Sequence, residues 1–255
     1  MTDRTIGIDL GSRTTKIVAL EGDRVAFAEV FDTGHDPLSL VSARLAGLGD
    51  CPTVATGYGR HLLRERFGHR AITEISACAR GVAHLAPDAR LVIDIGGQDS
   101  KVILVTPGGG FDDFVMNDRC AAGTGRFLEV MAGALGYSIE ELGPAALLAD
   151  APAKVNSMCT VFAESEVVSL ITSGQDRHRI ALGLHHSVVE RVAAMVPPGA
   201  GGGPAIFVGG VALNPCVVKL LQRRLRTAVV VPDEPQIVSA LGAALIAQSL
   251  SEGTP

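Results

Sequence analysis

The sequence lacks the features that identify several classes of protein. It has no block of lysines or arginines and a formal net charge of −5 at pH 7, so nothing predicts a nucleic-acid-binding surface. No apolar run approaches the length of a membrane span, and residues 1–4 lead directly into a predicted strand. We therefore expect neither a membrane segment nor a signal peptide. The seven histidines show no metal-ligand spacing. These absences favour a cytoplasmic protein.

The composition fits an α/β protein of two small domains. The 255 residues are enough for two domains with a buried core, and 47% of them are hydrophobic. Five cysteines occur without a secretory signal, which predicts thiols that stay reduced or bind metal. Composition therefore allows either a metal site or a set of free thiols.

The most informative pattern is an internal repeat. Segment 8–20 recurs as segment 93–105, with Ile, Asp, Gly and Lys at the same positions of both copies. Each copy reads as a strand that ends in Asp-x-Gly, a tight glycine turn and a second strand. Such a turn directs backbone N–H groups outward, where they hold phosphate oxygens, and a carboxylate beside it can bind Mg²⁺ through water. Two facing copies predict a bound nucleotide triphosphate, ATP.

A third element supports this prediction. Segment 207–214 ends a predicted strand in two glycines before a helix, and residues without a Cβ let the backbone approach a flat ring or a phosphate closely. A plain strand-to-helix turn is the alternative interpretation here, as a simple hairpin is for a single Asp-x-Gly turn. Because all three elements occur in order, we predict nucleotide binding.

The phosphate turns and the late diglycine turn together resemble the superfamily of sugar kinases, heat-shock chaperones and actin. Segments 117–127 and 157–166, each with one cysteine, closely resemble the activator, or reductase component, of 2-hydroxyacyl-CoA dehydratases. The same family contains the ATP-binding subunits of benzoyl-CoA reductase, and segments 55–60, 93–101 and 240–245 match it too. The resemblance covers nearly the whole chain. It implies an α/β fold of two duplicated actin-like (ribonuclease H-like) domains with a nucleotide cleft between them.

The element order ββ(β)αβα, given twice, predicts where these domains lie. We expect the first at residues 1–89, with a C-terminal helix at 235–250 packed back on it, and the second, with two cysteines, at 90–234. Strands are predicted at 5–10, 15–20, 25–31, 53–56, 91–95, 101–105, 111–117, 205–208 and 228–231. Helices are predicted at 37–48, 61–67, 74–85, 139–148, 161–173, 177–195, 215–225 and 235–250, with another from residue 123.

Within this scheme, residues of the three turns receive specific roles. Asp9 and Asp94 would contact Mg²⁺ through its waters, and the two glycine turns would face the phosphates from opposite sides. Gln98 or Asp99 would position the attacking water, and the sequence does not choose between them. The candidates are Asp9, Gln98 and Asp99 for catalysis, and Gly11, Ser12, Thr14, Lys16, Asp94, Gly96, Gly97, Gly209, Gly210, Val211 and Ala212 for nucleotide binding.

Cys120 and Cys159 each directly precede a predicted helix. A helix N-terminus carries free N–H groups and partial positive charge, so it favours thiolates and other anionic ligands. Spacing alone leaves two buried, inert thiols as the alternative. An iron–sulfur cluster takes four thiolates, and the family resemblance implies that one 4Fe–4S cluster bridges a homodimer. Cys51, Cys78 and Cys216 are predicted to be core or surface thiols.

The resemblance implies an ATPase coupled to electron transfer and sensitive to oxygen. A reduced ferredoxin or flavodoxin would load one electron onto the cluster, and ATP would drive it to a partner 2-hydroxyacyl-CoA dehydratase or related reductase. The sequence does not identify the partner enzyme. Two alternatives are a small-molecule kinase of the same superfamily, such as pantothenate kinase, and an actin-like scaffold that polymerises with nucleotide.

Overall fold

The computed structural model describes residues 4–156, 159–200 and 202–252. These residues divide into two compact units, one within the ranges 1–89, 103–113 and 233–255 and one within the ranges 90–102 and 114–232. Two five-stranded sheets form the framework. In the described part of the chain, no helix has both the length and the apolar character that a membrane crossing requires.

The first sheet has the strand order β3-β2-β1-β4-β5. Strand β1 is antiparallel to β2 and parallel to β4, so Asp9 lies opposite Lys16 on one side and Thr56 on the other. The two-residue strand β5 was not predicted, because it is too short to show alternation. The strands and helices of this part are β1 (Arg4–Leu10), β2 (Thr14–Glu21), β3 (Arg24–Asp32), α1 (Pro37–Leu45), β4 (Thr53–Thr56), α2 (Arg60–Phe67), β5 (Arg70–Ala71) and α3 (Glu74–Leu85).

The last helix, α9 (Val238–Glu252), packs against the first sheet and α3. Its buried side chains, among them Leu241 and Leu245, form one hydrophobic cluster with Leu20 of β2. Glycines make this close packing possible: a Cβ at Gly7 would overlap the carbonyl of α9 residue Ala240. The first unit is thus built from the N-terminal sheet and the C-terminal helix, which burial of their apolar faces holds together.

The second sheet has the strand order β10-β9-β6-β7-β8, and β6 is parallel to β9. Helix α5 begins at a reciprocal capping box formed by Ser138 and Glu141. The elements are β6 (Leu91–Ile95), β7 (Ser100–Val105), β8 (Phe111–Asn117), α4 (Gly125–Leu135), α5 (Ile139–Leu147), α6 (Thr160–Thr172), α7 (Arg177–Ala193), β9 (Ala205–Val208), a short 3₁₀ helix (Gly210–Leu213), α8 (Pro215–Leu225) and β10 (Val229–Val230).

Candidate functional site

The first Asp-x-Gly turn holds a nearly buried carboxylate between a lysine and a glycine. Asp9, at the end of β1, is 8% exposed, and its Oδ2 lies 3.1 Å from Lys16 Nζ. On the other side lies Gly57, directly after β4: a Cβ there would stand 2.5 Å from Asp9 Oδ1. The turn itself is fixed by Thr33, whose hydroxyl donates to the Gly11 carbonyl at 2.8 Å. The carboxylate therefore has little freedom to move.

The second turn repeats this arrangement around Asp94. This residue is also 8% exposed, and a Cβ at Gly209, directly after β9, would stand 2.5 Å from Asp94 Oδ1. Gly57 and Gly209 have φ angles of 89° and 87°, in the left-handed region that favours glycine. Asp94 lies opposite the last residue of β9, as Asp9 lies opposite the last residue of β4. Each unit thus contains the same aspartate–glycine pair.

The two turns differ in their charges. In the second turn, Lys101 Nζ lies 2.7 Å from Asp99 Oδ1 and 3.8 Å from Asp94 Oδ2, and the lysine side chain is only 3% exposed. The Asp99 backbone carbonyl also accepts from the Gly96 N–H at 2.9 Å. Gln98, between these residues, is exposed. Of the two candidates for positioning water, Asp99 is therefore tied to the turn, whereas Gln98 points its side chain into solvent.

The second turn is also bonded to the start of a helix. The first amides of α4, those of Gly125 and Arg126, donate to the carbonyls of Gly96 and Gly97 at 2.9 and 2.7 Å. Sequence reasoning could not find these bonds, because they join segments almost 30 residues apart. Two backbone hydrogen bonds therefore connect the helix N-terminus to the predicted phosphate turn.

The two cysteines of interest stand in different positions relative to their helices. Cys159 is the N-cap residue of α6, as predicted, and is exposed. The prediction that Cys120 directly precedes a helix is wrong: a short loop separates this half-buried residue from α4, whose N-cap is Thr124. The helix begins late because Gly123, at φ 89°, bends the chain before the cap. Ser157 and Met158, part of the second cysteine segment, lie outside the described residues.

The loop of Cys120 is nevertheless well fixed. The Asn117 side-chain amide donates to the carbonyls of Cys120 and Ala122 at 2.9 and 3.1 Å. The Thr124 hydroxyl donates to the Ala121 carbonyl at 2.6 Å. A short, hydrogen-bonded segment thus runs from Cys120 to the amides of Gly125 and Arg126, which donate to the second Asp-x-Gly turn.

The part of the chain that the structure describes brings too few donor side chains together to hold an iron–sulfur cluster. Among the described residues, no group of three or more His, Cys, Asp or Glu side chains could hold a metal ion. The other cysteines are structural: Cys78 and Cys216 are buried, and burial raises the pKa of the Cys216 thiol to about 12. The half-buried Cys120 and the exposed Cys159 could supply two of the four thiolates that such a cluster takes.

The third predicted element forms a tight turn that begins at Gly209. The 3₁₀ helix follows, and within it Val211 and Ala212 are buried. Asn214 ends the turn and caps α8, because its Oδ1 accepts from the amides of Cys216 and Val217 at 3.0 and 3.2 Å. The turn is therefore fixed at both ends, at Asp94 and at the cap of α8.

Comparison with known proteins gives consistent matches over nearly the whole chain. A family model described as the BadF/BadG/BcrA/BcrD ATPase family matches residues 6–247. The activator of lactoyl-CoA dehydratase from Anaerotignum propionicum is 42% identical over 97% of this chain and 98% of its own length.

Two solved structures are also similar. The activator of 2-hydroxyisocaproyl-CoA dehydratase from Clostridium difficile with bound ADPNP is 39% identical, with a TM-score of 0.88 over 98% of this chain and 96% of that one. Component A of the Acidaminococcus fermentans (R)-2-hydroxyglutaryl-CoA dehydratase is 37% identical, with a TM-score of 0.91 over 98% and 99%. These likenesses confirm the predicted fold.

Proposed function

The chain belongs to the BadF/BadG/BcrA/BcrD ATPase family, and from this premise we propose that it hydrolyses ATP to drive a low-potential electron from a 4Fe–4S cluster into a 2-hydroxyacyl-CoA dehydratase or related reductase. The family predicted from the cysteine segments is confirmed. Relatives named as dehydratase activators, at 39–42% identity over nearly the full chain, favour this role over that of a small-molecule kinase.

Asp9 and Asp94 are the proposed contacts of hydrated Mg²⁺. Both are nearly buried carboxylates, and Mg²⁺ prefers oxygen ligands and keeps part of its water shell. Gly57 lies against the Oδ1 atom of Asp9, and Gly209 lies against that of Asp94. A lysine near Oδ2 neutralises the charge of each carboxylate. When bound, the metal would neutralise charge on the phosphates as the terminal phosphoryl group is transferred to water.

The glycine turns supply the remaining contacts to ATP. Backbone amides of Gly11, Ser12 and Thr14 in the first turn and of Gly97 in the second would face the phosphates, with Lys16 adding a positive charge. Gly96, whose own N–H donates to the Asp99 carbonyl, would let the backbone approach the phosphates closely. Gly209, Gly210, Val211 and Ala212 would contact the adenosine. We assign the positioning of the attacking water to Gln98, because its side chain is exposed while Asp99 is bonded to Lys101.

One observation carries the proposed coupling of ATP to the cluster. The amides of Gly125 and Arg126 donate to the carbonyls of the second phosphate turn, and Cys120 lies only a few residues before them. A turn that closes on phosphate would therefore pull the start of α4, and Asn117 would carry the movement to the Cys120 carbonyl. Nucleotide state and cluster geometry are thus joined through one short path.

Cys120 and Cys159 from two copies would hold the cluster in a homodimer. The first turn of α6 supports such contact, because Val161 and Phe162 are 68% and 69% exposed beside Cys159. Apolar side chains so exposed are typical of an interface between proteins. A ferredoxin or flavodoxin would reduce the cluster, and the dehydratase or reductase component would receive the electron.

The test uses isosteric variants of anaerobically purified protein. Asp9→Asn and Asp94→Asn should abolish Mg²⁺-dependent ATP hydrolysis and ATP-dependent electron transfer to a dehydratase, while about four irons per dimer remain bound. Asp23→Asn, at an exposed aspartate of the same chain, is the matched control and should change neither activity. Full ATPase activity in either site variant would remove that aspartate from the proposed site. A wild type without iron would disprove the electron-transfer role.

A further inference from the structure

A fully buried histidine lies behind the turn that begins at Gly209. His185, on α7, is 0% exposed and takes no part in the mechanism above. Its Nδ1 lies 2.7 Å from the Ala181 carbonyl oxygen, and its Nε2 lies 3.0 Å from the Asn214 side-chain nitrogen. It therefore joins the middle of one helix to the cap of another.

These contacts determine where the protons are. A carbonyl oxygen can only accept, so Nδ1 carries the proton and donates to Ala181. In the neutral ring Nε2 is then an acceptor, and the Asn214 NH₂ group must donate to it. This orients the Asn214 Oδ1 toward the amides of Cys216 and Val217, where it accepts two hydrogen bonds. The histidine tautomer thus specifies which way the Asn214 amide points.

We propose that His185 is a positioning residue for nucleotide binding, which acts by holding Asn214 in the orientation that fixes the turn from Gly209 to Ala212. The proposal rests on the proposed role of this turn in contacting adenosine. Asn214 closes the turn, since its backbone N–H donates to the Val211 carbonyl at 3.0 Å. Without an acceptor at Nε2, the amide could rotate and present its NH₂ group to the two helix amides. The cap would be lost, and the turn would lose its anchor.

A neighbouring helix restricts the same amide. A Cβ at Gly143 of α5 would stand 2.5 Å from the Asn214 Oδ1. Helices α5, α7 and α8 pack on one another here, so the Asn214 side chain is surrounded by three elements. Gly143→Ala should therefore displace Asn214 without changing His185. The structure thus offers two independent ways to disturb one amide.

The experiment measures ATP affinity, kcat and KM in a double-mutant cycle. His185→Phe should raise the KM for ATP about fivefold, the equivalent of one lost helix cap, with kcat nearly unchanged. In an Asn214→Ser background, where a hydroxyl caps α8 without needing an acceptor, His185→Phe should add no further loss. The half-buried neighbour provides the control, and His186→Phe should leave KM unchanged.

The outcomes separate this proposal from the proposed function. If the wild type binds no ATP by calorimetry, the proposed function fails. If the wild type binds ATP and His185→Phe binds it equally well, His185 has no positioning role. An equal KM increase from His185→Phe in both backgrounds would also overturn the proposal, because the effect would not pass through Asn214. Should His185→Phe not fold, Gly143→Ala must raise KM similarly, and an unchanged KM there would overturn it.

Discussion

Gly57 and Gly209, which lie against Asp9 and Asp94, give the most specific prediction. A Cβ at Gly57 or Gly209 would stand 2.5 Å from an aspartate Oδ1 and from a backbone carbonyl oxygen. An ordinary contact begins near 3.4 Å, so the carboxylate must move by about 0.9 Å (3.4 − 2.5) to admit the new methyl group. A misplacement of about 1 Å can reduce an enzymatic rate roughly 100-fold. We therefore expect Gly57→Ala and Gly209→Ala each to lower ATPase activity by about two orders of magnitude.

Matched controls separate this effect from backbone strain. Gly49 and Gly174 both have φ 82°, close to the values at the two site glycines, but a Cβ at either would meet nothing within 4 Å. Alanine at a positive φ costs about 1–2 kcal/mol in all four variants, or a decrease of about 2–8 °C in melting temperature. Only the two site variants should lose activity. Steady-state ATPase assays and thermal denaturation of all four would decide. Normal activity in Gly209→Ala, with the same stability loss as Gly174→Ala, would refute the reasoning.

Three further predictions concern the charged and thiol groups. Lys101→Ala should lower the melting temperature more than Lys16→Ala, because Lys101 is 3% exposed against 15% and faces two carboxylates; equal losses would contradict this. Burial lowers the pKa of His185 below 6.5 in the folded protein. The neutral histidine therefore stabilises the fold fully above pH 6.5, and this stability is lost as the pH falls from 6.5 through the folded pKa. The loss at acid pH should be smaller in His185→Phe, and an unchanged pH dependence of the melting temperature would argue against this. Iron analysis should show loss of the cluster in Cys120→Ser and Cys159→Ser and its retention in serine variants of the other three cysteines; an essential third cysteine would exclude the shared cluster.

Local patterns in the sequence predicted much of the fold and part of the site. The Asp-x-Gly turns at Asp9 and Asp94 were recognisable because a strand end, a glycine turn and a lysine follow in a fixed order. The equivalence of Gly57 and Gly209 was not, because Tyr58 follows the first glycine where a second glycine follows the other. Only the parallel pairing of β4 with β1 and of β9 with β6 reveals it.

Contacts between distant segments could not be predicted from the sequence for a similar reason. The His185–Asn214 bond joins residues 29 positions apart, and although Asn214 ends the diglycine segment 207–214, nothing in the sequence connects that segment with His185. The late start of α4 depends on the left-handed conformation of Gly123, whereas the apolar periodicity of the helix only indicates where its buried face lies. Tertiary packing, rather than local preference, decides both features.

The hydrogen bonds between α4 and the second phosphate turn have a thermodynamic consequence. If nucleotide binding changes the free energy of cluster reduction through these bonds, then reduction must change nucleotide affinity by the same amount, since coupling between two sites is reciprocal. For a one-electron couple, a tenfold difference in ATP affinity between the oxidised and reduced protein equals a shift of about 59 mV in reduction potential. The hydrogen bonds from the amides of Gly125 and Arg126 would therefore couple the two sites in both directions. Nucleotide binding would change the reduction potential of the cluster, and reduction of the cluster would change the affinity of the protein for nucleotide.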